Sequence, residues 1–329
     1  MVNHQVSEWE AIALNKAGKT IPTSYLENVK KVVQENQGKF RLITDTERYT
    51  LGILAAGGDP TNIGGYNLVE SIYNGNVTKQ GLNGVAYALI ALDSAKFKIP
   101  DLATWNRDKL LAQLLQKQNK DGGWAWDEST NSDIDTTGMI LTALAPYKNQ
   151  TGVKEKVDAA VQYLSTHYQN AKIDNSSTAA QVVIALSALG IDANGSLFTK
   201  ENNSLVQYLL SFQNKDGGFD WKGGDVSDVF STAEGIQGLA AYQLYATGKG
   251  SLYQLPLAAQ TTVKENSTTP AVKQPLTQSV VVESSNSKVS TKGNPLPNTA
   301  TNTYNLLILG IFLMMIGLVF YLREKKRNA

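Results

Sequence analysis

Chemistry in this chain has to come from carboxylates. The sequence holds no cysteine and only two histidines, His4 and His167. That removes thiolate nucleophiles, disulfides and most transition-metal centres, so a metal would have to be oxygen-bound and no metal site is expected. Glu8, Glu47, Asp133, Asp135, Asp225, Asp228 and Glu234 fall near the starts of apolar helical segments. If those segments run parallel, the carboxyls share one rim. Two carboxyls about 5–10 Å apart can cleave a glycosidic bond, and one with a raised pKa can protonate a substrate. Asp133 and Asp135 are the candidates for such an acid. A blander role competes with it. A side chain at a helix start accepts from free amides, and the helix dipole favours an ionised carboxylate there. Asp135 and Ser231 read as N-caps on that ground, and the residues together favour binding over catalysis.

A repeat positions these residues. Gln118 returns as Gln213, Asp121 as Asp216, Gly122 and Gly123 as Gly217 and Gly218, Trp124 as Phe219, Asp133 as Asp228 and Tyr147 as Tyr242, each 95 positions later. A constant offset marks a supersecondary unit that recurs and stacks on its copies. Asp-Gly-Gly predicts a tight turn, glycine permitting positive φ; Gln118 and Gln213 are expected to satisfy main-chain groups there, and Trp124 and Phe219 to pack. Trp126 and Trp221 also recur and face a cavity mouth in one reading. A ligand at that rim would meet Trp126, Asp133, Asp135, Trp221, Asp225 and Asp228.

Helical spacing predicts elements over 7–18, 25–37, 44–57, 67–73, 81–95, 102–118, 135–147, 153–168, 177–190, 198–213 and 231–245. Alternate members are apolar nearly all round and the others carry a polar stripe, the mark of buried and half-exposed helices in turn. With no period-2 runs, the expected fold is all-α, an (α/α)6 toroid over 1–252 with six inner and about five outer helices. Pro256 interrupts the one candidate for a sixth outer helix, which leaves closure of the ring open. Residues 253–295 turn to Ser, Thr, Val, Gln, Asn and Lys and read as a disordered wall linker. The formal net charge of +1 argues against a nucleic-acid partner.

Gln118-x-x-x-Gly122-x-Trp124 and Gln213-x-x-x-Gly217-x-Phe219 resemble the glutamine-tryptophan repeat of class II terpenoid cyclases and the protein prenyltransferase β-subunit superfamily. The resemblance implies a toroid with a central cavity open at one rim. Asp133-Ile134-Asp135-Thr136-Thr137 is similar to the DxDD-T acid motif of the cyclases and would make Asp135 the acid. Thr136 replaces the final aspartate, and the second copy has Phe230 in place of the middle one. The prenyltransferase zinc site needs a cysteine that is absent. Cobalamin carriers use a similar toroid, so a corrinoid joins small hydrophobic molecules and glycans as an expected ligand class, with no resident cofactor expected.

Leu296-Pro297-Asn298-Thr299-Ala300, the apolar span 305–322 and the basic tail 323–329 resemble a sortase sorting signal of Gram-positive surface proteins. As a helix the span covers about 25 Å, near the ~30 Å hydrocarbon thickness, and the tail is cytoplasmic by the positive-inside rule. The resemblance implies sortase and peptidoglycan as partners, cleavage between Thr299 and Ala300, and a membrane stage before it. Residues 1–19 contain no uninterrupted apolar run, so the export signal is expected to lie outside this sequence.

Overall fold

Helices without a polar face must be covered on all sides, and the alternation along this chain resolves into two concentric layers. The computed structural model describes residues 6–257. The inner layer is α1 (Glu8–Lys16), α3 (Ile43–Ala55), α5 (Gly81–Ser94), α7 (Ile134–Leu144), α9 (Ser176–Leu189) and α11 (Val229–Ala246). The outer layer is α2 (Ser24–Glu35), α4 (Leu68–Tyr73), α6 (Arg107–Gln116), α8 (Lys154–Gln169) and α10 (Leu205–Leu210). Each inner helix packs on the next, and α11 returns to α1, so the inner ring closes. Small residues set the spacing. A Cβ added at Gly238 of α11 would sit 3.1 Å from the Cα and Cβ of Ala180 on α9, closer than two packed helices normally allow.

The inner helices run parallel. Their N-terminal ends meet at one face, where Arg48 of α3 pairs with Glu8 of α1 at 3.4 Å and Thr136 of α7 donates to Asn83 of α5. Their C-terminal ends meet at the other. Across the interior, the Trp9 ring of α1 lies 5.7 Å from the Tyr87 ring of α5, although α3 stands between those helices in the ring.

Three boundaries depart most from the sequence expectation. The helix expected over 102–118 starts at Arg107, because Asn106 caps it through the Lys109 amide. The one expected over 198–213 is only α10; before it, β1 (Thr199–Lys200) and β2 (Asn203–Ser204) form a two-residue hairpin, and Ser204 opens α10 with a capping box. The toroid also runs past 252. Tyr253 and Leu255 are buried, and the Leu255 amide donates to the Ser94 carbonyl at 2.9 Å. Instead of a sixth outer helix, residues 251–257 form a strap that crosses the C-terminal face of the ring. Among the described residues the outer layer therefore has five helices, and the outward face of α11 stays bare: Ile236 is 38% exposed, whereas its counterpart Leu141, under α8, is fully buried. The remaining linker, the sorting motif and the span 305–322 lie outside the described residues. Among the described residues no helix is long and apolar enough to cross a membrane.

Candidate functional site at the N-terminal rim

The two repeat loops are built alike. Gly122 and Gly217 hold φ of +89° and +85°, and Asp121 and Asp216 each accept from the amide two residues on and from a serine hydroxyl, Ser132 and Ser227. Gly123 and Gly218 sit against those serines, where an added Cβ would come within 2.7 and 2.6 Å of the serine Cβ atoms. Gln118 donates to the Gly122 and Lys156 carbonyls, both at 2.7 Å, which ties the loop to α8. Gln213 repeats the first bond, to Gly217 at 3.0 Å. Trp124 and Phe219 are fully buried; each amide receives a threonine hydroxyl as partner, Thr137 or Thr232.

Each loop then docks on a neighbouring inner helix. The Trp126 carbonyl accepts from the Leu82 amide at the start of α5, and the Trp221 carbonyl accepts from the Ser176 amide at the start of α9. A main-chain oxygen thereby meets one of the orphan donors that every helix start carries. Both indoles are left on the surface of the rim, 56% and 54% exposed. The Lys222 ammonium lies 4.7 Å over the Trp221 ring and pairs with Asp174 at 3.0 Å. Val226, Val229 and Phe230, in the second loop and the first turn of α11, are exposed as well.

The carboxylates divide into three kinds. Asp133 and Asp228 are the N-caps of α7 and α11, accepting from the Thr136 and Ser231 amides at 2.7 and 2.8 Å. This corrects the expectation that Asp135 and Ser231 cap: the chain enters helical geometry at Ile134 and Val229, so those two residues already lie within the first turn. Asp135 and Glu234 face one another's surroundings at the mouth of the ring. Thr178 and Ser177 of α9 hydrogen-bond to Asp135 and Glu234 respectively. Burial in the concave mouth raises both carboxyls above the ordinary range, with neighbouring carboxylates adding to the rise. The dipole expected to keep Asp135 ionised is outweighed, because desolvation acts on the carboxyl directly. Asp225 is exposed in the second loop.

Glu47 is the third kind and a correction to the rim set. It is fully buried in α3, neither carboxylate oxygen has a hydrogen-bond partner, and burial raises its pKa well above 4.5. A glutamate with a raised folded pKa binds its proton more tightly in the fold than in the open chain. Its contribution to stability is therefore whole below the ordinary range and is lost as pH rises. Glu47→Gln is expected to leave stability almost unchanged at pH 4 and to raise it by about 1–3 kcal/mol at pH 8. Denaturant titrations at the two pH values check this, and an equal change at both would show that Glu47 does not titrate in that window.

The family model described as the prenyltransferase alpha-alpha toroid domain matches residues 24–172 and 179–272. The chain belongs to the prenyltransferase alpha-alpha toroid family. The model for the LPXTG cell wall anchor motif matches residues 288–329, which makes this toroid a sortase-anchored protein of the Gram-positive cell surface, with Ala300 where that motif ends in glycine. No curated protein matches the chain. Glu234 was among the carboxylates expected at the rim, whereas Asp174, which reaches the rim from the loop before α9 and pairs with Lys222, was missed in sequence.

Proposed function

We propose that the toroid is a non-catalytic binding module displayed on the cell wall, and that its ligand is a glycan held at the N-terminal rim. The observation that carries this reading is the pairing of Trp126 and Trp221, both more than half exposed, with the carboxyls of Asp135, Glu234 and Asp174 on the same face. An indole left in water costs apolar hydration, and an exposed apolar patch rimmed by polar groups marks an interaction surface. The flat indole faces suit the C–H face of a pyranose, and the carboxyl oxygens suit its hydroxyls. Two carboxyls at the mouth of the ring, Asp135 and Glu234, each bonded to a hydroxyl of α9, favour a second reading, a glycoside hydrolase that uses them as acid and base.

The test is a titration of soluble peptidoglycan fragments and neutral polysaccharides, read by tryptophan fluorescence, with release of reducing ends followed in parallel. Binding is expected to weaken by about tenfold in Trp126→Ala and in Trp221→Ala, a loss of ~1.4 kcal/mol each. Release of reducing ends that disappears in Asp135→Asn would replace the binding module with the hydrolase. Binding of a corrinoid or an isoprenoid phosphate where no glycan binds would overturn the glycan assignment.

A further inference from the structure

The C-terminal face of the ring carries a second concavity that the rim reading does not use. It is a cavity of about 970 Å³, walled by the last turns of α5, α7, α9 and α11 and crossed by the strap. The strap exists because the chain can turn twice after α11, with Gly248 and Gly250 at φ of +64° and +97°. Its Leu252, Tyr253 and Leu255 are then buried. The Tyr253 ring packs edge-on against Tyr87 at 6.5 Å, which separates this cavity from the rim by an aromatic layer.

Its charge is one-sided. Lys16, Lys96, Lys148 and Lys249 line it, against one carboxylate, Asp93. Asp93 is already engaged by Arg107 Nε at 2.5 Å and by the Tyr147 hydroxyl at 2.8 Å. Helix C-termini attract cations, and one of the lysines answers to that: Lys148 donates to the Leu189 carbonyl at the end of α9, whereas Lys16 donates to the Gln254 carbonyl of the strap. The attraction leaves unexplained why Lys96 and Lys249 converge on the same mouth, and it says nothing of Ser187. That serine lines the cavity from α9 and is only 6% exposed. Its hydroxyl has no hydrogen-bond partner, in a helix position where a bond back to the preceding turn is available to serine. A buried hydroxyl left unpaired costs free energy that a ligand oxygen would recover. Ile90, Ile184 and Leu244 supply apolar wall.

We propose that this cavity is a binding site for an amphiphile with an anionic phosphate or carboxylate head, its head among Lys16, Lys148 and Lys249 and the Ser187 hydroxyl, its apolar part against Ile90, Ile184 and Leu244. The volume lies within the range of sites for molecules of that size. The chemistry is shared by a lipid phosphate and by a free phosphate metabolite, and the probes separate the two.

The experiment uses the chain ending at Thr299, the form that sorting leaves, and isothermal titration with octyl phosphate, inorganic phosphate and octyl glucoside, all below micelle concentrations. Octyl phosphate is expected to bind at least tenfold more tightly than either of the others. Inorganic phosphate binding as well as octyl phosphate would move the source from lipid to free phosphate and keep the site. Ser187→Ala is expected to weaken octyl phosphate binding by about three- to tenfold while the protein without ligand becomes no less stable. Lys148→Gln and Lys249→Gln are expected to weaken binding and flatten its dependence on salt. Equal binding of octyl glucoside, no binding of any probe, or binding untouched by all three substitutions would overturn the proposal. Glycan binding at the rim should be the same in these variants, so its failure would be read separately.

Discussion

Thr299→Ala is expected to abolish attachment of the protein to the wall. Sorting takes the chain apart at one peptide bond. In the reaction that the anchor motif implies, the sortase thiolate would attack the Thr299 carbonyl, the amine of Ala300 would leave with residues 300–329, and an amine of the wall precursor would then displace the enzyme from the acyl group. Removing the threonine hydroxyl and branch from the residue that becomes the acyl group leaves an enzyme pocket unfilled at the reacting centre, where remote binding cannot compensate. Wall digestion followed by mass spectrometry should find the unaltered chain ending at Thr299 and joined to wall peptide. The variant should stay in the membrane fraction with residues 300–329 intact. Recovery of wall-linked protein that retains that segment, from either chain, would refute sortase processing at this bond.

Trp124→Ala should be the most damaging single change within the described toroid, at about 3–5 kcal/mol. Trp124 is fully buried, its Nε1 donates to the Leu114 carbonyl at 2.8 Å, and its own amide and carbonyl close the loop against Asp133 and Thr137. Truncation opens a cavity and removes the indole donor from the Leu114 carbonyl, which keeps only its bond from the Lys117 amide. Trp124→Phe copies what the second repeat does naturally with Phe219. It should cost less, about 1–3 kcal/mol, but not nothing, because the copies differ underneath: Phe219 sits on Gly235, where a Cβ would lie within 2.7 Å of the ring, while the first copy has Ile140 at that position. Urea denaturation monitored by far-UV dichroism measures both variants. A Trp124→Ala protein within 1 kcal/mol of the parent would mean the loop, rather than its aromatic, carries the repeat.

The inner helices were legible in sequence because a buried helix must be apolar on every side, and α5, α7 and α9 are. The 95-residue offset made the repeat loops legible down to the residues that turn them. What escaped has physical causes. Residues 198–213 keep helical apolar spacing, but Glu201 and Asn202 adopt φ of +51° and +65°, the two-residue turn of a hairpin; asparagine suits that turn and glutamate gives no sign of it. Caps were displaced by two and three positions because Asp133 and Asp135, or Asp228 and Ser231, are equally good acceptors and only backbone entry into the helix decides between them. Tyr253 and Leu255 were assigned to the linker because one proline outweighed three apolar residues in a short segment. Glu47 looked like its rim neighbours, since periodicity does not reveal which side of α3 faces the interior. The lysine-lined cavity was invisible, as its charges come from elements spread between Lys16 and Lys249 with no common spacing.

The strap has a mechanical consequence. The chain leaves the described toroid at Leu257, on the face opposite the rim, and continues towards the bond that fixes it to the wall. When something held at the rim is pulled, by flow or by another cell, the load between the two ends passes through residues 251–257 before it reaches any helix. Among the described residues that segment is fastened by one main-chain bond, from Leu255 to Ser94, by the Lys16 side chain on the Gln254 carbonyl, and by the burial of Leu252, Tyr253 and Leu255. Under such a load the strap is expected to detach before the ring opens, which would lengthen the connection and uncover that side of the lysine-lined cavity.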